Sequence, residues 1–164
     1  MNSLTTLVLV LNIGTVKIEL LPEVAPLHVA QIQKLVENKS YDGIVFHRVI
    51  DGFMAQTGDV SNGHYQTLNK QLVGTGGSTL PNIPAEFNAV SHQKGTVSMA
   101  RSASPDSANS QFFICFGDAS FLDGQYSAFG RVIEGMDIVD NIAKGHPQSG
   151  AVDEPDYIES AHLE

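Results

Sequence analysis

Cysteine is nearly absent. Cys115 stands alone in 164 residues, so no intrachain disulfide framework and no cysteine-based zinc cluster is available. That usage fits a reducing compartment, and a soluble cytoplasmic protein is the expectation. Basic residues are also scarce, nine Lys and Arg against eighteen Asp and Glu. The resulting net charge of −9 lacks the broad basic footprint that neutralises phosphates, which excludes nucleic acid as a main partner. No uncharged apolar stretch approaches the ~20 residues of a membrane-spanning helix. The apolar run within residues 1–11 has neither a basic segment before it nor a small-residue cleavage site after it, and it reads as a first strand instead of a signal peptide. Gly and Pro, at fifteen and seven residues, keep ordinary shares that exclude a collagen-like or low-complexity chain. Internal repeats at periods of about 20–50 residues are missing too.

What the chain does have is 42% hydrophobic and 16% charged residues, a balance suited to one compact domain over residues 1–164. β-rich segments at 7–11 and 16–20 flank Asn12-Ile13-Gly14-Thr15 and predict a hairpin. Pro22 and Pro26 break the pattern, and Val29, Ile32, Leu35 and Val36 then fall at helical spacing, predicting an amphipathic helix over 27–38. Strand-like pieces follow at 44–50 and 54–58, joined through Asp51-Gly52, and again at 95–100, 111–116, 127–133 and 157–163. A second short helix is expected between Gly135 and Gly145. Residues 59–94 show little periodicity, which in a compact domain marks a functional segment or a missed element. Many short strands with two helices predict a mainly β fold, a closed or nearly closed antiparallel structure with helices at its ends.

Six scattered histidines without HxH or HExxH spacing give a metal site no local support. Cys115 lies within Phe112-Phe113-Ile114-Cys115-Phe116, a setting for a small hydrophobe and not for a thiolate. Gly74-Thr75-Gly76-Gly77-Ser78 lacks the lysine and register of a phosphate loop and reads as a tight surface turn. Strand alternation treats residues 46–56 differently. It puts Phe46 and Arg48 on one face with His47 on the other, Met54 and Gln56 together, and Gln111 with Phe113 opposite Phe112, Ile114 and Phe116. If those faces coincide, Arg48, Gln56 and Gln111 converge on Phe53, Met54 and Phe113; otherwise Arg48 is a surface arginine lying over core aromatics.

The blocks FHRVIDGFMAQTGD at 46–59, GTVSMAR at 95–101, SANSQFFICF at 107–116 and FLDGQYSAFGRVIEGMDIVD at 121–140 closely resemble the signature blocks of the cyclophilin family of peptidyl-prolyl cis-trans isomerases. They keep the family order, and the resemblance extends from the first hairpin to the last strand. It implies a closed eight-stranded antiparallel barrel capped by two helices, with a substrate groove on the outer face. It implies Arg48 as the catalytic arginine, Phe53, Met54, Phe113 and Leu122 as the pocket for the proline ring, and Gln56 and Gln111 as peptide-binding groups near the X-Pro bond. Ala100 and Arg101 would supply backbone contacts to an extended peptide. Phe121 and Tyr126 stand where the best-known eukaryotic members carry Trp and His, as in bacterial cyclophilins, so weak binding of cyclosporin A is expected. The stretch from Val60 to Val73 is longer than in familiar short forms, and the resemblance gives no shape for it. The activity implied is rotation about X-Pro bonds in peptides and unfolded or flexible protein segments, by a monomer with no cofactor or metal. A proline-peptide binding module or chaperone with incidental isomerisation is the alternative, and only an isomerase needs a donor such as Arg48 at the rotating nitrogen. A cysteine or histidine hydrolase lacks a nucleophile–base pair in this sequence.

Overall fold

The structure is a computed structural model that describes residues 4–164. Of the segment 1–11, residues 1–3 lie outside the described residues, and the first strand, β1, runs over Thr6–Leu11. It turns through Asn12-Ile13 into β2, Gly14–Leu20, with Leu7 opposite Ile18 and Leu9 opposite Val16. All four side chains are buried, so cross-strand apolar pairs hold the hairpin register. Helix α1, Pro26–Glu37, begins at a proline that needs no N–H partner there. Its Ala25 N-cap offers no side-chain oxygen. The carboxylate of Glu86 takes that role, accepting the Leu27 and His28 N–H groups at 3.1 and 2.8 Å. Val29, Ile32, Leu35 and Val36 face the core as their spacing predicts.

The remaining strands are β3 (Arg48–Ile50), β4 (Met54–Thr57), β5 (Thr96–Met99), β6 (Phe112–Cys115), β7 (Ala128–Glu134) and β8 (Ile158–Leu163). They form one antiparallel sheet in the order β3-β4-β6-β5-β7-β2-β1-β8. This corrects the expected closed barrel, because β3 and β8 end the sheet and no ladder joins them among the described residues. The seam is filled by chain that is not strand. Val45 bridges Tyr157 and Arg48 bridges Ala151, while Phe46 N–H donates to Asp156 O and Val49 N–H to Gly150 O, both at 2.8 Å. The segment 145–157 thus covers the exposed edge of β3. It also explains why α2, Met136–Asp140, is shorter than the sequence suggests. Gly145 N–H is drawn to Val49 O at 2.8 Å, which takes the chain off the helix path. Gly135 starts α2 at φ +87, and a Cβ there would meet Thr15 O at 2.4 Å.

A second difference concerns 44–50, which sequence reads as one strand. Only Arg48–Ile50 pairs with β4; Ile44 and Val45 instead bridge His64 and Tyr157. The strand alternation therefore breaks at 46–47, and Phe46 enters the core and not the face of Arg48. Residues 59–94 hold no helix or strand, yet their polar groups are answered. Asn109 Oδ1 accepts Ser78 N–H at 2.7 Å, and its Nδ2 donates to Leu80 O at 2.9 Å.

Alternation in β6 divides the apolar residues between two clusters. Phe112 and Ile114 join the main core with Val97, Met99, Phe129 and the buried faces of the helices. Phe113 and Cys115 join a smaller cluster with Met54, Ala119 and Leu122, against which Ile50, Phe53, Ala100 and Tyr126 pack. Phe112 is fully buried and meets Tyr41 and Phe129 edge-on at 5.4 and 6.1 Å. Phe112→Ala is expected to destabilise the fold by about 3–5 kcal/mol, the usual result of emptying a buried phenylalanine site. Urea unfolding should show a lower midpoint with an unchanged slope.

Candidate active site

The smaller cluster lies on the side of the sheet reached by Arg48. The β3–β4 hairpin places Arg48 opposite Gln56, and the β4–β6 ladder places Gln56 opposite Phe113, so a cation, an amide and a ring occupy one row. Arg48 Nη1 donates to Gln56 Oε1 at 3.2 Å, and Gln56 Nε2 donates to Gln111 Oε1 at 2.9 Å. Gln111 Nε2 donates in turn to the carbonyls of Gly74 and Gly76, at 3.0 and 2.9 Å. The stem of Arg48 is confined from behind, since a Cβ at Gly150 would stand 2.8 Å from its Cγ. No carboxylate lies within ion-pair distance of Arg48 or Arg101 among the described residues.

Beside this row is a cavity of about 370 Å³ lined by Arg48, Phe53, Met54, Gln56, Ala100, Arg101, Phe113, Leu122 and Tyr126. Met54, Phe113 and Leu122 form its nearly buried floor. Tyr126 meets Phe113 edge-on at 5.8 Å, and the Arg101 guanidinium lies 4.5 Å over the Tyr126 ring. Nε and Nη2 of Arg101 both donate to Gln125 O, so this side chain holds the 125–126 turn against the cavity. Ala100 N–H donates to Gln111 O at 3.0 Å. Gln111 itself lines an adjoining cavity of about 190 Å³, together with Gln56, Ala100, Arg101, Ser107 and Asn109. Phe121 is absent from both linings; it is 65% exposed at the rim and packs on Phe53 with ring centroids 5.5 Å apart.

Sequence reasoning missed His47, Val73, Gly74 and Thr75, which line the larger cavity as well. Alternation assigned His47 to the opposite face, and the break in alternation at 46–47 lets it line the same cavity as Arg48. Of the Gly74–Ser78 segment only Gly74 and Thr75 turn or bend, and the carbonyls of Gly74 and Gly76 hold Gln111. Burial pushes the His47 imidazole down to about 4, with the Arg48 charge adding to the effect and Asp59 opposing it. His47 Nδ1 is buried without a hydrogen-bond partner.

Among the described residues no activated nucleophile faces the groove. Cys115 is fully buried, and burial raises its thiol to about 12. Ser98, His92 and Asp123 do form a chain, with Ser98 Oγ 2.9 Å from His92 Nε2 and His92 Nδ1 2.8 Å from Asp123 Oδ1. Ser98 is fully buried and opens on no cavity described above, so no carbonyl can approach it. The chain instead ties the 3-10 turn Ser120–Leu122 to β5, and the Asp123 carboxyl is held down to about 2, chiefly by the Ser91 hydroxyl. Among the described residues no group of three or more His, Cys, Asp and Glu is placed to hold a metal ion, and no helix is long and apolar enough to cross a membrane.

An unpaired guanidinium fixed beside an apolar cup, with amides alongside and nothing to attack a bond, suits binding and polarising a peptide. The family model described as cyclophilin type peptidyl-prolyl cis-trans isomerase/CLD matches residues 6–163. The chain belongs to this family of isomerases. A Brucella suis protein named "Probable peptidyl-prolyl cis-trans isomerase" is 54% identical over 97% of this chain and 82% of its own length. A peptidyl-prolyl cis-trans isomerase of Acinetobacter baylyi is 39% identical over 80% of this chain and 68% of its own. Among solved structures, a cyclophilin from Hirschia baltica superposes with a TM-score of 0.83 at 29% identity, over 99% of this chain and 75% of its own. A Cryptosporidium parvum cyclophilin type isomerase, crystallised in the presence of the dipeptide Ala-Pro, gives a TM-score of 0.82 at 24% identity over 97% and 98%. The cyclophilin fold and peptidyl-prolyl isomerase activity follow.

In this cyclophilin the histidine beside Arg48 links stability to pH. His47 stays neutral in the folded protein down to about pH 4, whereas in the unfolded chain it protonates near 6.5. The unfolded state then binds more protons between those values, so the contribution of His47 is complete above about pH 6.5 and is lost as pH falls towards 4. His28, also lowered by burial, acts in the same direction. Unfolding free energy is expected to fall by about 2–3 kcal/mol across that window, with His47→Gln removing a large share of the slope. Urea titrations at several pH values check it.

Proposed function

We propose that Arg48 is the catalytic residue of the isomerisation and that the Met54–Phe113–Leu122 floor receives the proline ring. Rotation about an X-Pro bond must break amide resonance, a barrier of about 18–20 kcal/mol that makes the uncatalysed step take tens to hundreds of seconds. In the twisted state the prolyl nitrogen becomes pyramidal and regains a lone pair. A guanidinium donating to that nitrogen stabilises the transition state over the planar ground state. The observation that carries this reading is the setting of Arg48, held by Gln56 at the lip of a cavity with an apolar floor, with no carboxylate among the described residues to neutralise it. Gln56, Gln111, Ala100 and Arg101 then bind the extended peptide, with Phe53, Tyr126 and Phe121 at its sides.

Raising a rate from ~10⁻² to ~10³ s⁻¹ takes about 7 kcal/mol. One charged donor supplies about 3–4 of these, and orientation and desolvation in the groove supply the rest. The ligand class is the proline-containing peptide and the flexible or unfolded protein segment, consistent with the Ala-Pro used with the Cryptosporidium parvum relative. The reading includes action as a monomer, as one domain over the whole chain, without a cofactor, and in the cytoplasm, where a lone buried cysteine suits the reducing conditions.

Arg48→Ala is expected to lower kcat/KM on an X-Pro peptide by about 10²–10³ with the fold intact. Arg48→Lys should recover little, because the planar fork is lost. NMR exchange or a protease-coupled assay measures both, and a folded Arg48→Ala enzyme keeping half the parent rate overturns the assignment.

Phe121 preserves an apolar rim but has no N–H to offer a drug carbonyl. An unpaired carbonyl costs about 1–3 kcal/mol, or one to two decades in affinity. Cyclosporin A is therefore expected to inhibit weakly, and Phe121→Trp to strengthen inhibition about tenfold or more with turnover little changed. Inhibitor titration of both proteins decides it.

A further inference from the structure

Asp59 follows β4 and is fully buried, yet no Lys, Arg or His nitrogen lies within ion-pair distance of it among the described residues. Its charge is answered by backbone donors. Oδ1 accepts the Ser61 and Asn62 N–H groups at 3.1 and 2.9 Å, and Oδ2 accepts those of Gly74 and Gly76 at 2.7 and 3.0 Å. Charge-assisted bonds of this kind are about twice as strong as neutral ones. The last two fix the 74–76 turn onto the end of the sheet. Its position is set from behind as well, since Ser110 Oγ donates to Gly58 O at 2.7 Å, holding the residue before Asp59 against the residue before Gln111.

The turn does more than fill space, because its carbonyls determine which way an amide points. Gln111 Nε2 has two hydrogens, and Gly74 O and Gly76 O accept them at 3.0 and 2.9 Å. With its donor end so occupied, Gln111 must present Oε1 to Gln56, which then turns its own Nε2 to Gln111 and its Oε1 to Arg48. Arginine has only donors, so it accepts this arrangement and no other. Were the two glycine carbonyls to withdraw, the Gln111 amide could rotate by half a turn. Gln56 would follow, and an NH₂ group would face the guanidinium.

We propose that Asp59 is a positioning residue for the isomerisation, setting through Gly74 and Gly76 the polarity of the Gln111–Gln56 pair and thereby the seat of Arg48. The inference rests on the reading of Arg48 as the catalytic donor. His47 also lies against this turn, its half-buried ring 3.3 Å from where a Cβ of Gly74 would lie, so the turn is held by a buried carboxylate and has an imidazole against it.

The test is a double-mutant cycle on kcat/KM for an X-Pro peptide. Asp59→Asn removes the charge and sets an NH₂ among N–H donors. It is expected to lower kcat/KM about tenfold in the parent but less than twofold in Gln111→Leu, where the relay is already cut. A loop anchor without a link to Arg48 would cost the same in both backgrounds, and that outcome overturns the proposal. The Arg48 Nε resonance in a ¹⁵N NMR spectrum should broaden or shift in Asp59→Asn, and an unmoved resonance also overturns it. Should Asp59→Asn not fold, Gly76→Ala takes its place under the same two criteria. Its Cβ would come within 2.5 Å of Asp59 Oδ1 and push the turn away with the carboxylate intact. An Arg48→Ala enzyme as active as the parent would instead remove the functional reading itself, and the relay with it. An inactive Arg48→Ala beside a fully active Asp59→Asn removes the relay alone.

Discussion

Strand β6 has four residues and all four are buried, so each side chain must enter one of two apolar clusters on opposite sides of the sheet. A strand in that position cannot slip. Moving it by one residue would exchange Phe112 and Ile114 with Phe113 and Cys115, and each cluster would have to accept side chains that fit the other. Through its ladder to β4 this register decides where Gln56 and Met54 stand, and through β4 where Arg48 stands. The groove is thus the outer surface of a constraint that folding must satisfy anyway. Its apolar floor is rigid because it is a core in its own right.

Electrostatics completes the arrangement by omission. The chain carries eighteen acidic residues, and none of them lines the cavity that holds Arg48. A guanidinium paired with a carboxylate would have its donors spent before a peptide arrived. Here the partners are a neutral amide and a backbone carbonyl, Gln56 Oε1 at 3.2 Å and Ser149 O at 3.4 Å. These orient the charge without neutralising it. The acidic residues near the groove are used elsewhere, Asp123 on His92 and Asp59 on backbone amides.

Periodicity made the hairpin, α1 and the two faces of β6 legible, because each depends on neighbours within a few residues and on which side is apolar, and it left the meeting of Arg48, Gln56 and Phe113 as one of two readings. The block resemblance carried the remaining groove residues. What escaped has non-local causes. Alternation breaks at 46–47 because Val45 and Phe46 pair with Tyr157 and Asp156 and not with β4, and no local pattern announces that choice. Residues 59–94 looked structureless because their order is imposed by single acceptors distant in sequence, such as Asn109 on Ser78 and Glu86 on the start of α1. The open seam was invisible for the same reason. It closes through the segment 145–157, whose contacts are backbone bonds that any sequence can make.

That seam has a consequence for how the protein comes into being. Arg48 lies on an edge strand whose outer side is covered by residues 149–151, and β1 is not enclosed until β8 pairs with it, Thr6 and Glu164 exchanging both backbone bonds at 3.1 and 2.8 Å. Synthesis runs from the N-terminus, so the arginine is made 101 residues before Ser149, whose carbonyl helps to seat it. A nascent chain therefore carries Arg48, Gln56 and Gln111 well before it has the segment that covers the edge of β3.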